Sequence, residues 1–178
     1  MAVDGIFITT ELEGELADLV HAHQLAFDPK MANFLPPHVT IIGSSGSGPV
    51  SPDTPLVELK ARILPVAAGT QPFTLAFGPP ERFVMREIVS LRLDPHGPLR
   101  ELHEKLRNSG LRFLPAKYPF TPHCTLSLWP TLTPEKVKAM LRIREPEPFR
   151  VHTLCVYHTK DPQKPKLLFK AKLGERPA

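Results

Sequence analysis

The chain has 178 residues, 22 Lys and Arg against 18 Asp and Glu, and 42% apolar side chains. That size makes one compact domain or two small lobes with a real core, and a charged fraction of 22% excludes a disordered chain. Proline is the outlier at 22 residues, more than twice the usual roughly 5%, which excludes a long helical bundle.

The charge is unevenly spread. Residues 1–89 carry five Lys and Arg against ten Asp and Glu, and residues 90–178 carry seventeen against eight. A basic half and a sequence pI near 9.2 favour a phosphate-bearing partner, although a merely solvated basic face reads the same way. No apolar run approaches the roughly 18 residues of a membrane span, and no basic segment precedes an apolar one at the start. Two cysteines, Cys124 and Cys155, are too few for a disulfide scaffold and too far apart for a metal pair. A soluble, cytoplasmic, monomeric protein is expected, with no membrane partner and no protein partner to infer.

Residues 6–10 read as a strand, followed by a helix over 11–27 whose Leu12, Leu16, Leu19, Val20 and His23 recur at three and four. A β-branched strand enters through Pro36 and Pro37 at His38 and leaves at Gly43, before a Gly/Ser-rich stretch, 43–53, that reads as a flexible loop. Thr54 and Pro55 look like an N-cap and first helical residue. Residues 73–77 read as a strand, and 82–84 as its hairpin partner.

The order then repeats. Residues 89–93 are a strand, 98–110 a helix carrying Leu99, Leu102 and Leu106, and 122–128 a strand entered through proline. Thr133 and Pro134 open another helix, and a shift of 79 lays 73–77 over 152–156, with 166–169 as the closing hairpin partner. The expected fold is α+β: one bilobal domain over 1–178, with repeat halves of about 1–86 and 87–178. Each lobe is an antiparallel sheet with helices on its outer face, and a pseudo-twofold relates the lobes around a central cleft.

Each half carries Pro-His-x-Thr-apolar at the same place: Pro37-His38-Val39-Thr40-Ile41 and Pro122-His123-Cys124-Thr125-Leu126. A lone histidine entering a strand is ordinarily a satisfied core residue. A pair at equivalent positions of two repeats asks for another explanation. Residues i and i+2 of a strand share a face, so His38 projects with Thr40 and His123 with Thr125. Two imidazoles can serve as acid and base near neutral pH, and two hydroxyls can donate to non-bridging phosphate oxygens. That chemistry calls for no metal and no cofactor.

Two such motifs with strand–helix–strand duplication resemble the 2H phosphoesterase superfamily, and within it the 2′-5′ RNA ligase-like, LigT-like branch. The resemblance runs from the first strand to the closing hairpin. It implies a hydrolase acting on 2′,3′-cyclic phosphates of RNA ends or nucleotides, or reversible 2′-5′ RNA ligation without ATP. It also implies that His38 and His123 are catalytic and that Thr40 and Thr125 hold the phosphate. On the family's pattern the first His protonates the leaving O3′ and the second activates water, leaving a 2′-phosphate. Many ligase-like relatives read Arg-Pro-Phe-x-Pro-His-x-Thr-Leu-x-Arg; here Tyr118 and Leu128 stand at the two Arg positions, with Lys117 adjacent.

Other candidates are weaker. His152 and His158 read as structural, and His21, His23, His96 and His103 as helix or loop residues without a partner motif. Tyr118, Tyr157, Phe34 and Trp129 could stack on a base, and Arg107, Arg112 and Lys117 could meet RNA phosphates near the second motif. Cys124 reads as a small buried apolar side chain on the sheet face opposite His123. Two other functions compete: an RNA-end or phosphate binder without turnover, and metal-dependent hydrolysis. The opposite-face placement of Cys124 makes the metal site a poor one.

Overall fold

The computed structural model describes residues 3–83, 87–128 and 132–175. In the first half, β1 (Asp4–Glu11) leads to α1 (Gly14–Phe27), the single turn α2 (Pro29–Ala32), β2 (His38–Ile42), α3 (Leu56–Ala68), β3 (Phe73–Leu75) and β4 (Pro80–Arg82). The second half runs β5 (Val89–Arg92), α4 (Pro98–Arg107), β6 (His123–Ser127), α5 (Pro134–Met140), β7 (Phe149–Val151), β8 (Thr153–Lys160) and β9 (Lys166–Lys172). Trp129 and the end of the expected 82–84 strand lie outside the described residues.

Period-two alternation sets the sheet faces. In β1, Ile6 and Ile8 point into the core, while Phe7 and Thr9 point into a cleft. The helices add Leu16 and Val20 from α1, Leu59 and Ile63 from α3, and Leu99, Leu102 and Leu106 from α4.

Every strand pair is antiparallel. One sheet has the order β2-β1-β8-β9, a second β4-β5-β6, and a two-stranded ribbon joins β3 to β7. The two-lobed α+β architecture is therefore present, but the lobes are not the sequence halves. The second half gives β8 and β9 to the sheet of β1, and the first half gives β4 to the sheet of β5. The chain crosses at the ribbon, where Phe73 faces Val151 and Leu75 faces Phe149. Among the described residues β3 thus pairs with β7 and not with 82–83, and its structural counterpart is β7 rather than 152–156. Hydropathy period identifies a strand but carries no information on its partner.

Three local expectations change. The helix expected from residue 11 starts at Gly14, because Glu11 is still paired with His38 in the sheet. Thr54 does not cap α3: its hydroxyl donates to the Ser51 carbonyl at 2.8 Å, and Pro55 holds the N-cap position. Thr133 does cap α5, accepting from the Lys136 amide. The stretch 43–53 is pinned rather than flexible. Val50 and Ile6 exchange both backbone hydrogen bonds, at 2.8 and 2.9 Å, and Pro49 accepts from Leu114 at 2.8 Å. Gly46 and Gly48 adopt positive φ, 78° and 84°, and a Cβ on either would run into His103 or the Leu114 carbonyl.

Side chains from each half reach the His-bearing strand of the other. On α1, Gln24 Nε2 donates to the Thr125 carbonyl at 2.8 Å. One turn on, Asp28 accepts from the Leu128 amide at 2.8 Å and caps α2 by accepting from Met31 at 3.0 Å. From α4, the buried His103 donates Nδ1–H to the Ile41 carbonyl at 2.7 Å.

Asp28→Ala is expected to cost about 2 kcal/mol, since it removes a cap and leaves the Leu128 amide without its partner. Urea unfolding checks this, and a loss under about 0.5 kcal/mol, the range of an ordinary surface change, would show the contact to be incidental.

Candidate active site

His38 and His123 open β2 and β6, and both rings are held in the same way. Nδ1–H of His38 donates to the Pro36 carbonyl and that of His123 to the Thr121 carbonyl, each at 2.7 Å. A carbonyl only accepts, so the proton of the neutral ring sits on Nδ1 and Nε2 keeps its lone pair. β2 and β6 run side by side, with Cα atoms within 8 Å across the gap. The ring of Phe83 meets His123 edge-on, centroids 5.0 Å apart.

Thr40 and Thr125 follow on the same faces. Each lies beside a ladder irregularity, between Ile8 and Thr9 in one sheet and between Val89 and Ser90 in the other, and such bulges re-aim side chains. Thr9 stands across from Thr40, and Ser90 across from Thr125. Gly43 leaves room for Thr40: a Cβ there would lie 2.5 Å from Thr40 Cγ2 and 2.9 Å from Phe7 Cδ1.

A cleft of about 640 Å³ takes in His38, Thr40, Thr125 and Gln24 and extends over Phe7, Phe34 and Tyr157. Its lining is largely apolar, and among the described residues the other charged groups there are Lys30 and Asp161. Sequence reading pointed to Phe34 and Tyr157 but missed Phe7, whose only signal was its place on the polar side of β1. Tyr118 lies elsewhere, against the loop at Gly46. Arg107 pairs with Glu104 at 3.7 Å, and Arg112 bonds the Ser51 hydroxyl at 3.1 Å beside Asp53. Neither lines the cleft. Lys117 reaches its rim through the backbone, donating to the carbonyl of Ser44, a lining residue.

Burial holds both site imidazoles below their ordinary value. For His38 the Pro36 carbonyl and the Glu11 charge act against that shift. For His123 the charge of His38 adds to it, while the Thr121 carbonyl and Glu81 oppose it. Glu11, directly across from His38, is pushed up by burial but held low by hydrogen bonds from the Tyr157 hydroxyl and the Lys170 ammonium. Across from His123 stands Arg92, paired with Glu81 at 3.5 Å. The Cys124 thiol is fully buried and pushed up to about 12 by that burial, which leaves it inert as a nucleophile.

Three further histidines pair with carboxylates: His23 meets Glu145, His152 meets Glu13, and His158 meets Asp4, at 2.8, 3.0 and 2.8 Å. Among the described residues no three His, Cys, Asp or Glu side chains are grouped to hold a metal ion, and no helix is long and apolar enough to cross a membrane.

The lowered imidazoles fix a sign. An unfolded histidine takes up its proton near 6.5, whereas His38, His123 and the likewise buried His103 resist it when folded. The unfolded state binds more protons, so stability falls as pH drops below about 6.5. Ring-proton titrations should give midpoints below 6.5 for His38 and His123, and midpoints above it would refute the burial argument. Gly43→Ala should displace Thr40 and reduce ligand affinity with little loss of fold. An unchanged affinity would mean that Thr40 has slack to move.

The model of the 2′-5′ RNA ligase superfamily matches residues 11–163. Among solved structures, Escherichia coli LigT complexed with 3′-AMP aligns with a TM-score of 0.63 at 19% identity, covering 98% of this chain and 100% of that one. The apo form of LigT gives 0.61 at 20% identity, covering 97% and 98%. A structure described as a phosphoesterase gives 0.57 at 18%, covering 97% and 99%. No curated protein matches the sequence. At these identities the solved structures establish a shared two-lobed, LigT-like fold, while the family model spans well over half the chain. The protein is a member of the 2′-5′ RNA ligase superfamily of 2H phosphoesterases.

Proposed function

We propose that the protein is a metal-independent phosphodiesterase that opens 2′,3′-cyclic phosphates at RNA ends or on nucleotides, with 2′-5′ ligation as the same ring opening by a 5′-hydroxyl in place of water. The observation that carries this reading is the pair of His-x-Thr strands lying side by side with their rings anchored alike. Family membership points to phosphoester chemistry, and LigT itself is described in complex with 3′-AMP, with ATP and with phosphate. The cleft suits an end better than a long polyanion, because Lys30 is its one lining Lys or Arg among the described residues and its far wall is apolar.

In this mechanism the phosphate sits between the Thr40 and Thr125 hydroxyls, which donate to its non-bridging oxygens as charge builds on phosphorus. His123 Nε2 takes a proton from water, the water oxygen bonds to phosphorus, and the P–O3′ bond breaks. His38 Nε2 gives its proton to O3′, and the product is a 2′-phosphate with a free 3′-hydroxyl. Glu11 opposes the burial that disfavours a proton on His38, and a charge on His38 disfavours one on His123. The pair accordingly works with one proton between them.

The test is hydrolysis of a 2′,3′-cyclic nucleotide in EDTA, with product identified as the 2′-phosphate. His38→Ala and His123→Ala should each lose about 10²–10⁴-fold in kcat and remain folded. Near-native rates in either would refute the paired-histidine mechanism, and bound phosphate without turnover would leave a binding protein. The rate should follow a bell in pH, and a steady rise from pH 5 to 9 would count against shared work.

The threonines separate chemistry from packing. Thr40→Val and Thr125→Val keep shape but delete the donor, so kcat should fall by roughly ten- to a thousandfold, on the scale of one oxyanion donor. Thr→Ser should be far milder. If Val and Ser variants behave alike, the hydroxyls take no part.

A further inference from the structure

Gln24 is buried to 4% exposure, yet only half of its amide is satisfied. Nε2 donates to the Thr125 carbonyl. That carbonyl cannot donate, so turning the amide over would place two acceptors against each other, and the orientation is fixed. Oε1 is left with no hydrogen-bond partner and no solvent. An acceptor buried in this way costs about 1–3 kcal/mol, and such atoms call for an explanation.

Three buried side-chain atoms among the described residues lack a partner: His21 Nδ1, Gln24 Oε1 and Ser90 Oγ. Two of them flank one residue, Thr125: Gln24 at its carbonyl and Ser90 directly across the ladder. On the equivalent side of the other lobe, Thr9 stands across from Thr40, and its hydroxyl reaches the Cys155 carbonyl at 3.4 Å. The unmet hydrogen bonding is therefore local to Thr125, and Gln24 forms part of the same cleft wall.

We propose that Gln24 Oε1 accepts a hydrogen bond from the sugar hydroxyl vicinal to the phosphate held by Thr125. The ligand group facing Oε1 must be a donor. An ionised phosphodiester brings none, and a base lying over the apolar end of the cleft, at Phe7 and Phe34, keeps its donors away from Thr125. The hydroxyl on the adjacent sugar carbon is the donor bonded nearest to phosphorus. This rests on the phosphodiesterase reading and narrows its ligand class to ribose phosphates with phosphate and free hydroxyl on neighbouring carbons. Both the opened 2′-phosphate product and a 2′-5′ linkage have that arrangement. Gln24 would thus tell a ribose end from a deoxyribose one.

The experiment compares the affinities of adenosine 2′-phosphate and its 3′-deoxy analogue, by calorimetry on the full chain. Wild type should prefer the hydroxyl-bearing ligand by about three- to tenfold, the scale of one hydrogen bond of roughly 0.5–1.5 kcal/mol. Gln24→Met keeps length and packing but removes both polar ends. A purely structural loss would weaken both ligands equally and preserve their ratio, whereas the proposal requires the ratio to collapse toward one. Equal affinities in wild type, or a preference that survives in Gln24→Met, overturn it while leaving the phosphate reading intact. If neither nucleotide binds wild type, the phosphate reading falls and this inference with it. Equal affinities in wild type overturn the inference even if Gln24→Met does not fold, and Gln24→Leu then takes its place as the variant in which the ratio must collapse.

Discussion

The structure depends on two sheet edges that face each other without joining. β2 ends one sheet and β6 ends the other, and unpaired strand edges ordinarily recruit a partner. Here they are held apart and filled by side chains: Gln24 takes the Thr125 carbonyl, Asp28 the Leu128 amide, and His103 the Ile41 carbonyl. Had the two strands zipped into one continuous sheet, their side-chain faces would line one floor and no cleft would separate them. Stapling from the opposite half instead keeps β2 and β6 side by side, with His38, Thr40 and Thr125 turned toward the cleft.

The strand exchange ties the two halves together. Because β4 and the β8–β9 hairpin each complete the other half's sheet, the sequence halves cannot part without breaking ladders in both. The pinned stretch 43–53 adds a further tie between β1 and the segment before β6. A site of this kind needs little closure, since rings anchored at Nδ1 and threonines at the foot of bulges are already aimed.

How much of this was legible follows from what each signal encodes. Repeated Pro-His-x-Thr strands and helix periodicities announce element type and repeat order, so the two-lobed α+β fold and the four candidate residues could be read from the chain. Pairing partners could not, because β3 and β4 look alike whether they form a hairpin or cross to β7 and β5. The Gly/Ser run at 43–53 signals turn geometry, and whether such a run is loose or pinned depends on Ile6 and Leu114, which are remote in sequence. Gln24 and Asp28 left a fainter trace. They follow Val20 at successive intervals of four, so a polar pair continues the buried stripe of α1. A polar residue in an apolar stripe marks a buried partner without naming it.

A duplicated fold also poses a chemical problem, since acid–base catalysis needs two histidines in different states. Identical lobes would give both rings the same affinity for a proton. The sequence breaks the symmetry around the motifs rather than within them. Glu11 faces His38, where its twofold counterpart Arg92 faces His123. Thr9, with a carbonyl partner, faces Thr40, where the unpartnered Ser90 faces Thr125. Gln24 reaches β6 with an acceptor to spare, where the other staple, His103, reaches β2 as an imidazole stacked on Phe120. The repeat thus sets two rings and two hydroxyls on equivalent strands, while the residues facing them differ, so the two rings stand in different electrostatic surroundings.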